Sequence, residues 1–237
     1  MPDPFDLKLL FNSGINRRKN KAKLEDLSAY LLIQNLVKFP EYFPITSSSL
    51  RFHTLAVILN DIIINERKSI IEFGSGISTL AIANLSKINR LNYTFVSVED
   101  NIGWFNSMKS YLSTYGLEKF VNLVYAPLEK TNLSPENIPW YSIKSLNEQL
   151  SRESRFSLVI VDGPGAWKPE TEFSRYPALP YLANSLEDSF SIYLDDTDRK
   201  GEKRVLSLWQ KELGTKFEKI NDTASVFVKG QKLNTIP

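Results

Sequence analysis

Carboxylates recur in this chain where short apolar runs end. Glu72 lies in Ser69-Ile70-Ile71-Glu72-Phe73, and Glu99 closes Thr94-Phe95-Val96-Ser97-Val98. Asp162 follows Phe156-Ser157-Leu158-Val159-Ile160-Val161, and the pair Asp195-Asp196 follows Phe190-Ser191-Ile192-Tyr193-Leu194. A carboxylate can accept hydrogen bonds from ligand hydroxyls, attract a cationic ligand, hold a hard divalent cation or take up a proton. The elements that deliver these groups decide which of these they do.

Each apolar, β-branched run reads as a buried parallel strand. After the first, Gly74-Ser75-Gly76 lets the backbone turn tightly and approach a ligand that a Cβ would hold off. Ser78 and Thr79 then open Leu80-Ala81-Ile82-Ala83, a helix with a polar cap. Strand, glycine turn and helix N-terminus make a nucleotide-type site at the end of a parallel strand. The third glycine of the dinucleotide pattern G-x-G-x-x-G falls at Thr79. Glu72, just before the turn, suits a ligand carrying positive charge better than a pyrophosphate. Glu99 lies 23 residues beyond Gly76, near the ~20-residue spacing at which an acidic side chain at the second strand's end accepts both ribose hydroxyls. The competing reading of Glu99 is an acidic loop residue.

Composition sets the bounds. A chain of 237 residues with 42% hydrophobic and 24% charged content can bury a substantial core as one domain. The formal charge of +2 is too small to argue for nucleic acid. The absence of cysteine excludes disulfides, thiolate metal sites and thiol nucleophiles. No apolar run approaches a membrane span, and Met1-Pro2-Asp3-Pro4 lacks the start of a signal peptide. A cytoplasmic protein is expected, with no membrane partner and an oligomeric state that spacing does not reveal.

Residues 1–46 read as a polar arm with a basic cluster, Arg17, Arg18, Lys19, Lys21 and Lys23, either solvated or meeting a phosphate-bearing partner, followed by a helix carrying Leu24, Leu27, Leu31 and Leu32, a cap over the site or a packing element. Residues 47–237 read as the main domain. Its first helix is expected to start at Ser47-Ser48-Ser49 and to carry the stripe Leu55, Ile58, Leu59, Ile62 and Ile63. His53, the only histidine, precedes that stripe as either a base near the substrate or a structural group. Trp104, Phe105, Met108, Tyr111 and Leu112 form one face of a later helix, read as core. A third strand at residues 121–125 leads to Ala126-Pro127-Leu128. The polar connection at 129–154 is expected to hold a short helix and to border the acceptor site. After the fourth strand, Trp167, Arg175 and Tyr176, read as either part of the acceptor wall or surface loop residues, precede a helix near residues 178–186. Val205, Leu206, Trp209 and Leu213 face inward from another helix, and the runs 216–220 and 224–228 read as a hairpin.

The stretch Glu72-Phe73-Gly74-Ser75-Gly76-Ile77-Ser78-Thr79 resembles the first motif of class I S-adenosylmethionine-dependent methyltransferases, whose cofactor carries a sulfonium, an ammonium and no phosphate. The resemblance covers residues 47–230, and the motif is particularly similar to that of uncharacterised bacterial members. It implies a doubly wound, Rossmann-like α/β fold: a seven-stranded, mostly parallel sheet with an antiparallel C-terminal hairpin, plus N-terminal helices. It further implies cofactor contacts from Glu72, Gly74, Ser75, Gly76, Ser78, Thr79, Glu99, Asp100 and Asp162, with Pro127 and Leu128 passing the adenine. Ser78 replaces the family's third glycine.

The chain is also similar to the catechol O-methyltransferase-like and macrolide-sugar O-methyltransferase groups, in which an Asp after strand four and an acidic pair after strand five bind Mg²⁺. By that resemblance Asp162, Asp195 and Asp196 are metal ligands, and Asp162, Asp196 and Arg199 are catalytic. The competing reading makes Asp195-Asp196 a structured turn whose charge Arg199 and Arg204 neutralise. The implied function is methyl transfer from S-adenosylmethionine to a hydroxyl of a small molecule or sugar, with Mg²⁺ as an optional aid. The alternatives are a non-catalytic binding or scaffold protein, a metal-independent N- or carboxyl methyltransferase, and a nicotinamide-dependent oxidoreductase, which Glu72 disfavours.

Overall fold

The computed structural model describes residues 4–135, 137–150, 154–230 and 233–237, with side chains from Asn20 onward. The side chains of Arg17, Arg18 and Lys19 in the expected basic cluster lie outside the described residues. The buried runs become the parallel strands β1 (Ser69–Phe73), β2 (Thr94–Glu99), β3 (Asn122–Tyr125), β6 (Phe156–Val161) and β7 (Leu186–Leu194). A small antiparallel pair, β4 (Leu128–Lys130) and β5 (Pro139–Tyr141), stands apart from the main sheet. At the C-terminus, β9 (Ser225–Lys229) lies antiparallel to β7 and to β8 (Glu218–Lys219). The main sheet has seven strands in the order β3-β2-β1-β6-β7-β9-β8. Strand order reverses between β1 and β6, where an open α/β sheet forms its ligand crevice.

Alternate residues of each central strand feed opposite layers. Ile70, Leu158 and Ile160 pack with α1 (Pro4–Val37), α2 (Phe52–Ile64), α3 (Ile77–Asn89) and α4 (Ile102–Thr114). Ile71, Phe73, Val159 and Val161 pack with α5 (Ile143–Gln149), α6 (Ala178–Leu182), α7 (Lys200–Leu213) and the β4–β5 pair. This two-sided burial is why the strands read as unbroken apolar runs. Among the described residues no helix is long and apolar enough to cross a membrane.

Several element boundaries differ from the sequence expectation. The polar arm is not separate, because one helix runs from Pro4 to Val37. Its leucines do not form the packed face: Ala29, Ile33 and Val37 are buried, while Leu24, Leu27, Leu31 and Leu32 are exposed. Ser47–Ser49 do not start α2, which begins at Phe52. The Thr46 N–H donates to Ser49 Oγ and the Ser48 N–H to Thr46 Oγ1, local bonds that compete with helix formation. Ile63 of the expected stripe is exposed, whereas Leu55, Ile58, Leu59 and Ile62 are buried. The helix expected over 178–186 stops at Leu182, since Leu186 already pairs with Phe156 in the sheet.

Candidate active site

A cavity of about 470 Å³ opens at the carboxyl ends of β1, β2, β6 and β7. One side is the glycine turn with Glu99, Asp100 and Trp104; the other is Asp162 to Gly165 with Trp167, Arg175, Asp196 and Arg199. A third side is built by Phe43, Pro44, Thr46, Ser48, Ser49 and Leu50. That strap precedes α2; Phe43, Pro44 and Thr46 belong to the segment expected to cap the site or serve as a packing element, while Ser48, Ser49 and Leu50 come from the start of the main domain.

The glycine turn is tightly fixed. Gly74 has φ +97°, and a Cβ there would stand 2.8 Å from the Gly163 nitrogen, so a side chain is opposed by both conformation and space. Ser75 donates from its N–H (3.2 Å) and Oγ (2.7 Å) to Glu99 Oε2, and the Asn101 N–H donates to Oε1 at 2.9 Å. The Trp104 indole N–H donates to the Ser75 carbonyl at 2.9 Å. Trp104, read from sequence as core, therefore clamps the turn and faces the cavity.

Glu72 and Thr79 stand behind the wall, not on it. Glu72 is wholly buried and accepts from Thr79 Oγ1 and, at 2.7 Å, from Ser97 Oγ. Thr79 Oγ1 in turn accepts the Gly76 N–H at 3.0 Å. Burial pushes the Glu72 carboxyl up to about 7, with the hydroxyls of Ser78, Thr79 and Ser97 opposing and the Glu99 charge reinforcing. Glu72 thus supports the turn from below. Asp100 lines the cavity, and its carboxyl is raised to about 6, first by burial and then by Glu99.

At the far end Asp162, Asp195 and Asp196 bring ligand atoms within 4.8 Å of one another. Arg175 enters this cluster, with Nη2 at 2.9 Å from Asp196 Oδ2 and 3.5 Å from Asp162 Oδ1. Arg199 Nη1 lies 2.8 Å from Asp196 Oδ2, and both guanidinium groups approach the buried Glu202, at 3.8 and 3.9 Å. Arg204 does not take part, because it pairs with Glu172 at 3.2 Å. Asp196 sits at φ +58°. Burial, then the Asp195 charge, pushes the Asp162 carboxyl well above the usual carboxylate range against the pull of Arg175. Asp195 rises to about 7 by burial, then by the Asp196 charge.

Other expected contacts fall elsewhere. Pro127 and Leu128 are not brought to the cavity wall, since Leu128 opens β4 and pairs with Tyr141. Among its described residues the 129–154 connection does not border the cavity either: Trp140 and Tyr141 are buried against Phe73. His53 is buried, with its backbone N–H on Asp26, and lies off the cavity wall. Trp167 is exposed on the wall, as is part of the strap.

No family model and no curated protein matches the chain. Solved structures do. A proposed caffeoyl-CoA O-methyltransferase from Staphylococcus aureus is 17% identical, with a TM-score of 0.55 over 94% of this chain and 100% of that one. The methyltransferase PaMTH1 of Podospora anserina, solved with SAH, is 13% identical, with a TM-score of 0.57 over 98% of each chain. The chain has the methyltransferase fold. An O-methyltransferase from Bacillus cereus in complex with SAH is 13% identical, with a TM-score of 0.53 over 86% of this chain and 90% of that one. At these identities the likeness speaks to the methyltransferase fold, and the chemistry is argued from the cavity.

Proposed function

We propose that this protein transfers a methyl group from S-adenosylmethionine to a hydroxyl oxygen of a small molecule or sugar. One observation carries the reading. A single cavity at the point of strand reversal joins the Gly74–Gly76 turn and Glu99 at one end to Asp162 and Asp196 of the acidic cluster at the other, with Asp195 buried behind them. The solved relatives bound to SAH support the choice of cofactor.

The turn, free of Cβ groups at Gly74 and Gly76, admits the cofactor close to the backbone. Glu99 supplies carboxylate oxygens to the ribose hydroxyls, already oriented by Ser75 and Asn101. When bound, S-adenosylmethionine offers an electrophilic methyl on its sulfonium; the acceptor oxygen forms the C–O bond as the C–S bond breaks. Asp162, on the cavity wall, takes the hydroxyl proton. Asp196 and Arg199 orient the acceptor, and proximity of the reacting atoms supplies much of the acceleration.

The acidic cluster fits a hard divalent cation by its donors. Three carboxylates approach one another, and Asp195 Oδ1 is buried with no partner among the described residues. Asp162, Asp195 and Asp196 would hold such an ion, which would lower the acceptor hydroxyl's pKa and orient it. The experiment is calorimetry with SAH and NAD, then turnover with sugar and phenol acceptors, with and without Mg²⁺. SAH binding and formation of SAH from S-adenosylmethionine are expected. NAD binding without SAH binding would sink the reading.

A further inference from the structure

We propose that Arg175 is the resident counter-ion of the Asp162–Asp195–Asp196 cluster, a positioning residue that ties the ends of β6 and β7 together and keeps the cluster's affinity for a divalent cation low. Its side chain is 3% exposed, deeper than Asp162 or Asp196. One guanidinium serves three backbone carbonyls: Nη1 donates to Asp195 at 3.0 Å, Nε to Pro164 at 3.4 Å, and Nη2 to Asp162. Those carbonyls belong to the turns leaving β6 and β7, so this side chain sets the separation of the two turns that carry the carboxylates. The fork of Arg suits that task, and a lysine ammonium does not reproduce it.

The same Nη2 that binds the Asp162 carbonyl also stands 2.9 Å from Asp196 Oδ2 and 3.5 Å from Asp162 Oδ1. It therefore holds oxygens that a metal ion would need. A guanidinium keeps its charge at every relevant pH, so a cation entering beside it meets a fixed positive charge within a few ångströms. Arg199, at 2.8 Å from Asp196 Oδ2, adds to this. The cluster is thus already balanced in part by charge built into the chain, unlike a cage whose carboxylates have no other partner.

The inference concerns the cluster within the proposed active site. Its test reads cation binding without cofactor or turnover, so its failure and that of the methyl-transfer reading are distinguishable. The full chain, Arg175→Gln and Arg175→Lys are titrated with Mn²⁺, and the free-ion signal is followed by electron paramagnetic resonance. Glutamine keeps an amide donor without charge, and lysine keeps the charge without the fork. The glutamine variant should bind Mn²⁺ at least about tenfold more tightly than wild type, and the lysine variant close to wild type. A glutamine variant no tighter than wild type overturns the proposal. So does equal tightening in both variants, which would trace the effect to geometry instead of charge. If the glutamine variant folds only with Mn²⁺, the ion has replaced the missing charge, which supports the proposal. If it does not fold at all, the wild type decides: a dissociation constant below about 100 µM overturns the proposal, and a weaker one supports it.

Discussion

Two glutamates 27 positions apart in sequence do different work because their surroundings differ. Glu99 meets the cavity and accepts three donors from Ser75 and Asn101. Glu99→Gln replaces one acceptor oxygen with an amide that faces those donors. Charged hydrogen bonds contribute about 1.5–3 kcal/mol each, so SAH affinity should fall roughly 10- to 100-fold by calorimetry. Unchanged affinity would remove Glu99 from the ribose site. Glu72 touches no solvent, and its carboxyl sits at about 7 against an ordinary 4.5. Between those values the folded chain binds more protons than the unfolded one, so stability falls as pH rises through this window. The contribution is complete below pH 4.5 and lost above about pH 7, amounting to about 3 kcal/mol. Glu72→Gln keeps the shape and cannot ionise. Denaturant unfolding at pH 5 and pH 8 should show a smaller drop for the variant; equal drops would mean that Glu72 is charged at both.

At the scale of elements, the site depends on the hold α4 has on the glycine turn. The Trp104 indole reaches back to the Ser75 carbonyl, and Phe43 of the strap packs 5.9 Å from the same ring. Trp104→Phe keeps a smaller aromatic ring and removes the indole donor, a hydrogen-bond loss of about 0.5–1.5 kcal/mol. SAH affinity should drop about two- to tenfold while the melting temperature changes little. A large loss of stability with no change in affinity would make Trp104 a core residue, as its spacing on the helix suggested. The parallel strands were legible because burial on both faces writes them as apolar runs, and the carboxylates at their ends were legible by position. Ser97 was not, and Arg175, named from the sequence as a candidate for the acceptor wall, was not legible as a partner of the acidic cluster. Ser97 points from β2 to Glu72 across the sheet, and Arg175 reaches two strand ends through a loop, contacts that no local pattern encodes. Pro127 and Leu128 lie off the cavity wall because Leu128 pairs with Tyr141, 13 positions further on, a contact that local spacing does not encode.

At the scale of the molecule, the expected boundary between residues 46 and 47 cuts through one core. Ala29, Ile33, Val37 and Phe43 lie in the same buried cluster as Leu80, Ala81 and Met108. Phe39 stacks on Tyr115 at 4.7 Å, and Phe43 packs against Tyr111 at 5.0 Å. Burying a large apolar side chain contributes about 1.5–3 kcal/mol, and a domain's net stability is about 5–15 kcal/mol. Removing residues 1–46 would uncover α3 and α4 and also take away the Phe43–Thr46 part of the cavity wall. The fragment 47–237 should therefore lose most of its cooperative unfolding transition and its SAH binding together. Phe43→Ala, a smaller lesion, should lower the melting temperature and weaken SAH binding in the intact chain. A fragment 47–237 that melts and binds SAH like the full chain would instead make the N-terminal segment an independent cap. Loss of both properties ties the long first helix to the site through the strap it carries.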